Sequence, residues 1–73
     1  MARHFSGQLL RETRKAAGIS IARLAIGVDR SVYTIQEYER GRATPSVPTL
    51  VAMADALGRP VDDLLVEEEA HAA

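Results

Sequence analysis

The sequence predicts an all-α fold, a compact bundle of five short helices, and three observations predict it. Apolar residues recur at intervals of three and four, the spacing of one helix face, rather than alternately. Serines (Ser20, Ser31, Ser46) stand at the heads of such runs, where a hydroxyl can accept an orphan backbone N–H. Glycines (Gly18, Gly41, Gly58) follow their ends, where a left-handed residue stops a helix. No segment alternates well enough to read as a strand.

The first helix is expected over 6–17, with Phe5, Leu9, Leu10, Thr13, Ala16 and Ala17 as its buried stripe. Gln8, Arg11, Glu12 and Lys15 then face water. Ser20 caps a short second helix over 21–28, with Leu24, Ala25 and Val28 inward. After a break at Asp29-Arg30, Ser31 caps a third helix over 32–40 that buries Ile35 and Tyr38. Pro45 biases Thr44 away from helical angles, so 42–45 is a loop. A fourth helix begins at Ser46 and carries Pro48 in its first turn, where the missing N–H has no intrahelical partner to lose. Leu50, Val51, Ala54 and Leu57 form its stripe. Beyond Pro60 a fifth helix is expected over 61–66, with Asp62 and Asp63 at its positive end and Leu64 and Leu65 inward.

These 73 residues make one domain over 1–66, followed by an acidic, frayed tail over 67–73. A composition 47% apolar and 26% charged is that of a globular chain, and no apolar run approaches the ~20 residues of a membrane span. With no cysteine there is no disulfide framework and no thiolate zinc site, and a cytoplasmic location follows by default.

Net charge is only −1, but its distribution is lopsided. Eight basic and four acidic residues give +4 over 1–54, while one basic and six acidic residues give −5 over 55–73. Such asymmetry suits one face kept for a polyanion and another kept away from it.

Two short helices joined by a tight turn, capped by Ser20 and Ser31, outline a helix-turn-helix. Further residues fall in one register with it. Arg14 is followed by Gly18-Ile19-Ser20, and Leu24-Ala25 sits inside the second helix. Ser31 and Ile35 open the third, which Glu39-Arg40-Gly41 and Pro45 close. Leu57-Gly58 and Asp63-Leu64 come last. Together these resemble the phage repressor and Cro-like (XRE) DNA-binding domains, over nearly the whole chain from Leu9 to Leu65. Any one element is weak; the ordered set is specific. Two positions depart from the family pattern: Asp29 stands where a turn glycine is common, and Ile21 where a phosphate-touching glutamine is common. Aspartate tolerates left-handed angles better than most residues.

The resemblance implies a repressor-like bundle whose third helix reads the major groove, and a sequence-specific DNA-binding regulator of transcription, with repression the expected mode. Ser31, Val32, Tyr33, Gln36 and Glu37 are then the candidates for base contact: Gln36 to adenine, Val32 to a thymine methyl, Glu37 to cytosine. Ser20, Ile21, Arg23, Arg30, Arg40, Arg42 and Thr44 are candidates for phosphate. Arg14 and Glu39 correspond to a structural ion pair. A homodimer is expected, its interface at Val61, Leu64, Leu65 and Val66. The resemblance also leaves a rival: an antitoxin or interaction module whose late helices and acidic tail bind a partner protein.

No phosphate loop or close histidine–carboxylate group points to an enzyme, a cofactor or a metal. His4 and His71 lie near the ends, and Asp62-Asp63 read as a helix start.

Overall fold

Each of the four α-helices begins on a serine. In the computed structural model, which describes residues 2–67, the order is β1 (Arg3–Phe5), α1 (Gly7–Ala16), α2 (Ile21–Gly27), α3 (Val32–Glu39) and α4 (Val47–Leu57). A 3₁₀ turn, Val61–Leu64, and β2 (Leu65–Glu67) follow. The hydroxyls of Ser6, Ser20, Ser31 and Ser46 accept the N–H of Leu9, Arg23, Thr34 and Thr49 at 3.2, 3.1, 3.0 and 3.3 Å. All four serines hold extended backbone angles. Each such cap contributes about 1 kcal/mol, which is substantial for helices of seven to eleven residues that are marginal alone.

The helix ends also follow local chemistry. Gly41 has φ 75°, while Asp29, the exception among the left-handed residues, has φ 55°. Its N–H reaches Ile26 O at 3.2 Å and the next one, from Arg30, reaches Ala25 O at 3.0 Å, so the αL residue closes α2 as a glycine would. No helix among the described residues is long and apolar enough to cross a membrane.

The expected fifth helix is absent. Residues 61–64 make one 3₁₀ turn, and Leu65 then turns extended (φ −116°, ψ 144°) to pair with the beginning of the chain. β1 and β2 are antiparallel, with Arg3 opposite Glu67, His4 opposite Val66 and Phe5 opposite Leu65. Among the described residues the fold is therefore mostly helical, four α-helices with a small two-stranded sheet, rather than an all-α bundle of five. The physical reason is long-range: the Ser6 N–H donates to Leu64 O at 2.9 Å, and Arg3 Nη1 meets Asp62 Oδ1 at 3.0 Å. Three residues with little helical room after Pro60 thus find partners some sixty positions away. Glu67, expected to start a frayed tail, is the last residue of β2; the remainder of that tail and His71 lie outside the described residues.

One core joins the helices: Leu10, Leu24, Ile35, Met53 and Leu64 are essentially sealed from solvent, with Ala25, Val28, Tyr38, Ala54 and Leu57 around them. The inner faces of α2 and α3 are those expected. On α1 the stripe is Gly7, Leu10 and Arg14, leaving Ala16 and Ala17 exposed. On α4 Thr49 and Met53 are buried and Val51 is exposed. Phe5 packs edge-on against Tyr38, ring centroids 6.2 Å apart. Gly7 explains the tight α1–α3 approach, because a Cβ there would lie 2.1 Å from the Tyr38 carbonyl oxygen.

Gly7→Ala should therefore destabilise the domain by about 2 kcal/mol or more, since backbone rather than a flexible side chain must move. Chemical denaturation by circular dichroism will measure it; a loss below about 0.5 kcal/mol, the range of ordinary surface changes, would contradict the close approach.

Candidate nucleic-acid interface

Helix α3 divides its side chains sharply. Ile35 and Tyr38 enter the core, and the opposite side of its first turn is open, with Tyr33 67% and Val32 41% exposed. Ser31 is exposed at the cap, where its hydroxyl lies 2.9 Å from Thr34 Oγ1. Gln36 is half-buried one turn on. Glu37 differs from the other four candidates: its side chain is only 16% exposed and lies among Arg40 and Arg42.

The position of α3 is held from below by Arg14 and Glu39. Arg14 Nε and Nη2 donate to the two carboxylate oxygens of Glu39 at 2.6 and 3.2 Å. Arg14 Nη1 donates to Ile19 O at 3.0 Å. One buried guanidinium therefore joins α1, the connection before α2 and the last residue of α3. The forked geometry gives direction as well as attraction.

Cations flank the open face. Arg30 is anchored at the α2–α3 turn, donating to its neighbour's carbonyl at Asp29 (3.0 Å) and to Thr49 Oγ1 (3.2 Å). Arg40 and Arg42, more than half exposed, stand at the other end of α3. Ser20, Arg23 and Thr44 are exposed as well, and Ile21 is half-buried. The acids of the last third are partly answered elsewhere, Asp62 by Arg3 at 3.0 Å and Asp63 by Arg59 at 3.7 Å. Positive charge is thus left over around α3.

An open depression of about 290 Å³ lies where α1, α2 and α3 meet. Arg11, Lys15, Ile21, Gln36 and Arg40 line it beside the Arg14–Glu39 pair. Arg11 and Lys15 are residues that sequence reasoning left as plain solvent-facing charge. Their four-residue spacing places them on one side of α1, a signal that becomes meaningful only once α3 is packed beside it.

The expected dimer residues separate into two groups. Leu64 is fully buried in the chain's own core and offers no surface. Val61, Leu65 and Val66 are half-buried, the last two as part of β2. The more exposed large apolar residues are Ile26 (81%) and Val47 (72%).

A family model described as a helix-turn-helix domain matches residues 7–66. The HTH-type transcriptional regulator DdrOP3 of Deinococcus deserti is 39% identical over 56 residues, 77% of this chain. The chain spans only 43% of that relative's length. Among solved structures, the restriction-modification controller protein C.AhdI of Aeromonas hydrophila superimposes with a TM-score of 0.75 and 33% identity, covering 80% of this chain and 88% of its own. The P22 c2 repressor protein, solved in complex with a synthetic operator, gives 0.74 and 33% over the same shares. A capped two-helix motif held by a buried arginine–glutamate fork, matched along this length, defines the class: the chain belongs to the helix-turn-helix domain family, in its phage-repressor and Cro-like (XRE) form.

Breaking the fork on one side should be expensive. Glu39→Leu strands a buried guanidinium and should cost about 3 kcal/mol or more, whereas adding Arg14→Met should recover part of that loss. Denaturant midpoints of both single variants and the double will test it; a double-variant loss equal to the sum of the two single losses would mean the fork carries no coupling.

Proposed function

We propose that this chain is a sequence-specific binder of double-stranded DNA that regulates transcription, acting as a repressor, with α3 as the element that enters the major groove. One observation carries the reading: an exposed first turn of α3, seated on a buried ion pair and bracketed by Arg30 on one side and Arg40 and Arg42 on the other. A groove-reading helix must present side chains to base edges while cations at both ends hold phosphates. The operator-bound state of the similar P22 c2 repressor supports the same assignment.

In this mechanism Ser31, Val32, Tyr33 and Gln36 face the bases. Gln36 can form paired hydrogen bonds to an adenine, and Val32 can pack on a thymine methyl. Arg30, Arg42, Arg23, Thr44 and the N–H groups at Ser20 and Ile21 contact phosphates. Arg11 and Lys15 extend that positive track onto α1. Two copies on a palindrome would set their α3 helices about 34 Å apart, one helical turn. Occupying a promoter in this way blocks it. The rival role, capture of a protein by the late segment, has little apolar surface to draw on among the described residues, because Leu64 is buried and Val61, Leu65 and Val66 are each half-buried.

The experiment is fluorescence anisotropy against a pool of random duplexes, titrated with salt, with selection of the preferred sequence. Affinity should fall steeply as salt rises. Arg42→Ala should weaken binding to all duplexes and reduce the salt slope by about one, whereas Gln36→Ala should relax preference at one base pair. No binding at about 50 mM salt, where phosphate contacts are strongest, would refute the proposal.

A further inference from the structure

Glu37 is the least comfortable group on the interface. Its Oε2 is buried, and no hydrogen-bond donor among the described residues reaches it. The nitrogens nearest in charge are Arg40 Nη1 at 3.7 Å and Arg42 Nη1 at 3.8 Å, both too long for hydrogen bonds. Both arginines are more than half exposed, so each contact is a loose electrostatic one that solvent screens. The main chain reinforces the cluster, since Glu37 O accepts the N–H of Arg42 at 2.9 Å and of Ala43 at 3.3 Å. This carboxylate therefore sits under the loop that carries the two cations.

Resting on the DNA-binding reading above, we infer that Glu37 is not a base reader but a positioning residue: an internal counterion that holds Arg40 and Arg42 and competes with phosphate for them. A side chain 16% exposed cannot extend to a base edge without leaving both guanidiniums. A phosphate oxygen, by contrast, can offer those guanidiniums short charge-assisted hydrogen bonds that the carboxylate does not make here. Binding then exchanges two long contacts for shorter ones, and the carboxylate's negative charge stays near the phosphates. That repulsion acts on every duplex alike. Glu37 accordingly lowers affinity without selecting sequence.

Glu37→Gln keeps the shape and removes the charge. The variant should bind every duplex of the random pool about three- to tenfold more tightly, with a salt slope steeper by up to about one and the same preferred sequence. Gln36→Ala, run in the same pool, shows what loss of a base contact looks like. Thermal denaturation of the Glu37→Gln variant establishes that it is folded. Altered preference at one base pair, or affinity unchanged or reduced, would overturn the counterion role while leaving the DNA reading intact. Failure of the parent chain to bind any duplex would instead overturn that reading, and this role with it.

Discussion

A guanidinium this far from water needs partners, and three hydrogen bonds to Glu39 and the Ile19 carbonyl hold that of Arg14. Burying this charge has a large desolvation cost, so the pair is no simple gain in stability over an apolar one. What it supplies is direction. Hydrophobic contact between α1 and α3 permits sliding and rotation, whereas a fork aimed at a carboxylate and a main-chain carbonyl permits neither. The last residue of α3, the end of α1 and the connection to α2 are thereby fixed in one frame. The exposed first turn of α3 inherits its aim from that frame, six residues from the Glu39 that anchors it.

The interface is otherwise built from weak and exchangeable parts. Arg30 is tied down by a hydroxyl and a carbonyl, while Arg40 and Arg42 hover near a carboxylate. A rigid scaffold with loosely held cations suits contact with a regular polyanion, because the bases need fixed geometry and the phosphates need only charge in range. The net charge of −1 hides this arrangement, since the acids of the last third are spent partly on Arg3 and Arg59.

Local chemistry was legible in the sequence, and remote pairing was not. Ser20, Ser31 and Ser46 announced the helix starts, and Asp29 its left-handed turn, because caps and turns depend on neighbours within a few positions. The Arg14–Glu39 pair was found through family resemblance rather than periodicity, which assigns arginine to the wet side. The sheet was missed because three residues at each end show no alternation until they meet. The surroundings of Glu37 were hidden for a related reason: helical spacing says which way a residue faces, not whether an arginine from the next loop lies beside it. Arg11 and Lys15 needed the α1–α3 packing before their shared depression existed.

Pairing of β1 with β2 has a consequence for the order of assembly. A chain leaving the ribosome N-terminus first, at about 5–20 residues per second, presents Arg3–Phe5 several seconds before its partner Leu65–Glu67 exists outside the tunnel. Helices α1 to α4 can gather meanwhile, yet the place of Leu64 at the centre of their core stays open to water. The strand acts as a final latch, so the nascent domain stays incompletely protected until this segment has emerged. Its completed form then carries β1 and β2 side by side, with Phe5 of β1 resting on Tyr38 of α3.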